Sequence, residues 1–232
     1  MGEMIEIEAL SGDGRFAAYR ACPDAEPRAA VVVIQEIFGV NAGIRAKVDA
    51  WAAAGYLAVA PDMFWRFAPG YDVDPDVPEQ MRQAFEVRKQ FDLDAAIEDV
   101  EALVRTLRKT IGSTPIGIVG FCMGGSVAYL AATRTDVDAS VGYYGGQIGQ
   151  HLREAHAIAK PLLLHFAGED AHISPATLGA IRHALDDNGH VTIEEYPGVG
   201  HGFADSFGKR RNAVKAEQAD ARTLAFFARH LG

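Results

Sequence analysis

The run Gly120-Phe121-Cys122-Met123-Gly124-Gly125 places a thiol between a stretch of Ile and Val and a segment of Ala and Ser. A nucleophile displayed on a sharp strand-to-helix turn needs small neighbours, because helix and strand approach too closely there for side chains. At the start of a helix, free backbone N–H groups and the helix dipole favour a thiolate. The plain alternative is a buried cysteine that only packs. Cys22, which precedes Pro23 in a loop-like stretch, reads as bland exposure, and a disulfide between the two cysteines is disfavoured in a reducing cytosol.

A thiol of this kind needs a base and a group that orients the base, and on a strand-turn-helix scaffold these follow in the order acid, then His. Gly168-Glu169-Asp170 comes just after an apolar run ending at Phe166, which makes Asp170 the candidate acid and Glu169 the weaker choice. Gly200-His201-Gly202-Phe203 follows the last apolar run in a glycine-rich loop and supplies the candidate base, His201. His165 and His172 compete but lack the glycine loop. The other histidines sit in helix-like or polar segments. Gln35-Glu36-Ile37-Phe38-Gly39 closes an early strand, so the N–H of Ile37 could pair with that of Met123 as an oxyanion hole. Glu36 at that strand end reads equally well as a surface carboxylate.

Short Val- and Ile-rich runs alternate with helical patterns, which predicts an α/β fold of the α/β-hydrolase type: a mostly parallel central sheet with helices on both faces. Strands are expected at 29–34, 56–60, 116–119, 137–143, 161–166 and 191–196. Helices are expected at 45–54, 93–109, 124–132, from an N-cap at Ser174 through 185, and at 213–231. Residues 62–80 read as a long surface excursion. The 232 residues contain no repeat or linker and suit a single domain over 1–232.

Lys and Arg number 22 against 31 Asp and Glu, for a net charge of −9, so a nucleic-acid partner is excluded. Lys209-Arg210-Arg211 reads as a solvated helix start. Asp72, Asp74 and Asp76 lack the spacing, Gly and closing Glu of a calcium loop, and no metal site is expected. The first ten residues show no secretory pattern and no stretch reaches membrane-spanning length, so a cytoplasmic protein with no membrane partner is expected. A monomer is the simplest assembly.

The blocks QEIFGVN at 35–41, GYLAVAPD at 55–62, GFCMGG at 120–125, VGYYG at 141–145, GEDAHISP at 168–175 and GHGFAD at 200–205 resemble the dienelactone hydrolase, or carboxymethylenebutenolidase, family. The resemblance runs from about Val31 to Leu231. It implies a cofactor-independent hydrolase that opens an enol-lactone or small activated ester of the kind met in aromatic degradation, with Cys122 as nucleophile, His201 as base and Asp170 as orienting acid. It also implies that Glu36 contacts the resting thiol and helps to generate the thiolate. Arg82 and Phe38 become the substrate-contact candidates. One departure stands out: the family holds a substrate carboxylate with two arginines, whereas here one matches only Arg82, displaced by one position, and the other is replaced by Asp205. A neutral lactone or ester then becomes the expected substrate, unless Arg82, Lys209 or Arg210 substitutes. The competing reading is a non-catalytic binding or thiol redox-sensing protein on the same fold.

Overall fold

The computed structural model describes residues 2–10, 12 and 14–232. The chain divides into two compact units, Met1–Ile116 and Gly117–Gly232.

The first unit carries strands β1 (Glu3–Glu8), β2 (Arg15–Ala21), β3 (Ala30–Ile34) and β4 (Leu57–Pro61), and helices α1 (Ala42–Ala53), α2 (Pro78–Arg88) and α3 (Leu93–Ile111). Its strands run in the order β1-β2-β4-β3, with β3 and β4 parallel and the outer pairings antiparallel. β3 and β4 are buried at every residue, as continuous apolar runs in parallel sheets are. Each Val or Leu so buried stabilises the fold by roughly 1.5–3 kcal/mol. β1 instead buries only Ile7 fully, and Glu3 and Glu6 reach Arg20 and Arg15 across the pair. α3 follows an Asp92 cap that accepts the N–H groups of Asp94 and Ala95, and it buries the expected stripe of Ala96, Val100, Leu103, Val104 and Leu107.

The 62–77 stretch is irregular but well anchored. The buried Asp62 carboxylate accepts N–H groups from Phe64 and Gly70 at 2.9 and 2.7 Å. Asp99 of α3 takes the Arg66 guanidinium and the Trp65 indole N–H.

The second unit contains β5 (Ile116–Phe121), β6 (Ala139–Tyr143), β7 (Leu162–Ala167) and β8 (Val191–Tyr196), all parallel and in that order. Its helices are α4 (Met123–Arg134), α5 (Pro175–Leu185) and α6 (Ala213–Leu231), with short 3₁₀ turns at Ile148–Gln150 and Leu152–Ala157. α4 packs on β6, and α6 on β6 and β7. Glycine is required at two points of close approach. A Cβ on Gly120 would lie 1.9 Å from the Gly124 carbonyl oxygen, and one on Gly125 would lie 2.4 Å from that of Tyr143. The GFCMGG run is therefore the contact by which α4 seats against β5 and the end of β6.

The mostly parallel strands alternating with helices bear out the expected α/β-hydrolase class. Differences lie at boundaries and in the first unit. α1 starts at Ala42 rather than 45, because the Asn41 side chain caps it by accepting the N–H of Ile44 at 3.1 Å. β6 starts at Ala139 rather than 137. β1, β2 and α2 were not expected, and the excursion ends in α2 instead of running to 80. Among the described residues, no helix is long and apolar enough to cross a membrane.

Candidate active site

Cys122 follows the buried strand β5 and directly precedes α4. Its backbone has φ 55° and ψ −114°, a region that side chains rarely occupy, and Tyr144 at φ 40° is the other such non-glycine among the described residues. The Cys122 N–H donates to the carbonyl of Tyr143, the residue before Tyr144, at 3.0 Å. The Cys122 carbonyl accepts the N–H of Gly125 at 3.0 Å, which closes the turn. Met123 opens α4, so its N–H belongs to the first turn that has no acceptor within the helix.

The loops leaving β7 and β8 are joined by main-chain bonds: Gly168 N–H to Tyr196 O at 2.8 Å, and Glu169 N–H to Val199 O at 3.0 Å. This pairing brings Asp170 beside His201. One Asp170 oxygen accepts from Nδ1 of His201 at 2.8 Å, and the other accepts the N–H of His172 at 2.8 Å, so both oxygens of the carboxylate are oriented. The Asp170 side chain is 1% exposed and that of His201 10%. Glu169, the weaker acid candidate, is exposed. Of the competing histidines, His165 is buried in β7 with other partners, and His172 lies edge-on to His201 at 4.8 Å.

A His201 ring nitrogen and the Cys122 sulfur lie within 4.8 Å of each other. Burial pushes the His201 pKa down, but an ionised Cys122 sulfur and the hydrogen bond to Asp170 outweigh it and raise the pKa to about 10. While the sulfur is charged, the imidazole keeps its proton.

Tyr144 is the site neighbour that sequence reasoning missed. Its buried ring lies 4.8 Å from His201 and 5.6 Å from Phe203. The only advance signal was its place in the VGYYG block. Asp205 is buried and binds Arg210 at 2.7 Å, with side chains 8% and 22% exposed. Arg211 Nη1 donates to the Asp205 carbonyl at 2.7 Å. A Cβ on Gly202 would come within 2.9 Å of the Arg210 guanidinium carbon, so that cation lies against the backbone next to His201. Arg210 and Arg211 thus turn back onto Asp205 instead of forming a solvated helix start, and α6 begins only at Ala213 behind an Asn212 cap.

In the first unit, Glu36, Ile37 and Phe38 are buried. Their segment is stitched to the excursion: Phe38 O accepts from Val73 N–H at 3.1 Å, Gly39 bridges Asp72, and the Asn41 amide donates to Val73 O at 3.1 Å. Arg45 takes Asp72 at 2.8 Å, while Asp74 accepts the N–H of Asp76, so the aspartates serve as local anchors. Arg82 lies exposed on α2, ion-paired with Glu79.

Mostly parallel strands, a strained residue between a buried strand and a helix, and a buried Asp-His pair after the last two strands define an α/β-hydrolase. Residues 16–231 match the dienelactone hydrolase family. The chain belongs to that family and is a hydrolase. It is 39% identical to the "Putative carboxymethylenebutenolidase" of Azospirillum brasilense, covering 99% of this chain and all of that one. It is 34% identical to the carboxymethylenebutenolidase of Pseudomonas putida over 97% of this chain and 96% of that protein. The solved structure of a "Putative Dienelactone Hydrolase" from Klebsiella pneumoniae subsp. pneumoniae MGH 78578 has a TM-score of 0.85 and 27% identity, covering 99% of this chain and all of that one.

Proposed function

We propose that the protein hydrolyses an enol-lactone or small activated ester through a thioester on Cys122. The observation that carries this reading is the hydrogen bond from His201 Nδ1 to an Asp170 carboxylate whose two oxygens are both committed, with a His201 ring nitrogen and the Cys122 sulfur within 4.8 Å of each other. The reading takes residues 1–232 as one catalytic domain.

The Cys122 proton passes to Nε2 of His201, with Glu36 in the role the family resemblance assigns to it. The sulfur then attacks the carbonyl carbon: a C–S bond forms and the carbonyl π pair moves onto oxygen, where the N–H groups of Ile37 and Met123 stabilise it. Collapse of that intermediate restores the carbonyl and breaks the C–O bond: a departing alkoxide takes the Nε2 proton of His201, whereas a stabilised enolate leaves unprotonated. Water, deprotonated by His201 or by the departing enolate, adds to the thioester and releases the acid and the sulfur. Asp170 keeps Nδ1 as the donor, so Nε2 is the nitrogen that exchanges protons with the reacting atoms.

Substrates with an uncharged acyl part are favoured. Arg210, a cation that lies against Gly202 of the catalytic histidine loop, is bound by Asp205. Phe38 lines the pocket on this reading, and Arg82 plays no part in holding an anion. The protein acts as a cytoplasmic monomer on a small molecule, without nucleic acid or membrane.

The test is a panel of neutral and carboxylated lactones and aryl esters, with mass spectrometry of the quenched enzyme. Wild type should accumulate an acyl adduct on the peptide containing Cys122, and Cys122→Ala should lose both adduct and turnover. Full activity in the alanine variant would refute the mechanism.

A further inference from the structure

The second unit buries a polar chain below the catalytic loops that the reaction above does not use. His165 and Thr223 are almost wholly inaccessible, at 0% and 1%. His165 Nδ1 lies 2.9 Å from the Tyr196 hydroxyl, and Nε2 lies 2.9 Å from Thr223 Oγ1. Thr223 Oγ1 is 2.7 Å from the Tyr143 hydroxyl, which donates to Asp220 at 3.0 Å. At the other end, Arg222 donates to the Tyr196 hydroxyl at 3.1 Å and pairs with Glu194 at 3.0 Å.

The charged ends determine every proton in between. Tyr143 spends its one proton on Asp220, so its oxygen accepts from the Thr223 hydroxyl. Thr223 must then accept from His165 Nε2–H, which leaves Nδ1 to accept from Tyr196, whose oxygen accepts from Arg222. The chain runs in one direction from the Arg222 cation to the Asp220 carboxylate. Burial, with the nearby Arg222 charge, pushes the His165 pKa down to about 3, and burial raises that of Tyr143 well above its ordinary value, so both stay neutral links.

Tyr143, His165 and Tyr196 sit on β6, β7 and β8, from whose ends the catalytic elements are held, and Thr223 joins them from α6. The Tyr143 carbonyl accepts the Cys122 N–H, and the Tyr143 ring lies 4.7 Å from Phe121 and 4.4 Å from His165. The His165 carbonyl accepts the N–H of Tyr144, at 2.7 Å, and the Tyr144 ring packs on His201. The Tyr196 carbonyl accepts the N–H of Gly168, two residues before Asp170. The main chains of Tyr143, His165 and Tyr196 are thus bonded to Cys122 itself, to the neighbour of His201 and to the loop that carries Asp170.

We infer that the Arg222-Tyr196-His165-Thr223-Tyr143-Asp220 chain positions the catalytic groups, with the Thr223 hydroxyl as the junction between its β6 and β7 branches. This rests on the catalytic reading of Cys122 only for its activity arm. In a Cys22→Ser background, so that one thiol remains, Thr223→Val removes the hydroxyl at nearly constant shape and Thr223→Ser keeps it.

The valine variant should lose about tenfold in kcat on an aryl ester, with KM little changed, because small displacements of reacting groups cost rate rather than binding. Its rate of Cys122 alkylation by iodoacetamide should change as well, and the serine variant should restore both. Tyr196→Phe, which removes the proton donated to Nδ1, should repeat the valine phenotype and serves in its place if the valine variant does not fold. Wild-type kcat and alkylation in Thr223→Val and Tyr196→Phe, or a valine defect that serine fails to rescue, would overturn the inference. If Cys122→Ala proved fully active, the catalytic reading would fall while the alkylation arm still decided this one.

Discussion

The loops after β7 and β8 and helix α2 (Pro78–Arg88) of the first unit both lie outside the regular strands, yet they are built on opposite terms. In the former, main-chain bonds pair the two loops, and the Asp170 and His201 side chains are nearly enclosed. In the latter, α2 buries a single residue, Ala84, and presents Arg82 and Phe85 to solvent. Reacting groups must be held to within a fraction of an ångström, which calls for a buried and fully bonded setting. An exposed helix that shares few contacts with the core has no such constraint, and it is free to differ in what it offers a substrate.

Substitutions on the two sides should therefore differ by orders of magnitude. Asp170→Asn leaves the geometry nearly intact but removes the charge that orients Nδ1. It should lower kcat by roughly 10²–10⁴-fold. It should also bring the His201 titration below about 10, because Asp170 raises that value. An NMR titration of the ring together with single-turnover kinetics checks both effects, and a loss under about tenfold would show that the buried pair is less critical than its enclosure implies.

Asp205→Asn releases Arg210 beside the histidine loop. The ratio of kcat/KM for a carboxylated ester to that for its neutral analogue should rise roughly tenfold, equivalent to about 1.4 kcal/mol. An unchanged ratio would mean that the Asp205-Arg210 pair has no influence on the substrate. Arg82→Ala, which removes an exposed ion pair, should alter kcat/KM for either ester by no more than about twofold. A larger and charge-selective loss would bring α2 into the binding site and erase the contrast between the two regions.

The same contrast explains what could be read in advance. Val31 to Ile34, Ile118, Val119 and the α3 stripe announce themselves because burial on two faces, or on one helical face, leaves a periodic apolar record. The Asp170 and His201 pair was legible because glycines and loop residues mark where strands end. β1 was not, since Glu-Met-Ile-Glu-Ile-Glu keeps one residue fully inside and covers the rest with charge. α2 was not, since a helix fixed by Ala84 alone has no apolar stripe to detect. Tyr144 against His201, and Arg210 folded back on Asp205, are contacts made by tertiary structure that no local spacing encodes.

The backbone at position 122 has a consequence for durability. A side chain held at φ 55° and ψ −114° costs of order 1–3 kcal/mol, a cost that glycine would largely escape. The folded enzyme therefore sits that much closer to unfolding than an inert version of itself would. Its working life at elevated temperature is shortened by the same torsion that holds the thiol ready.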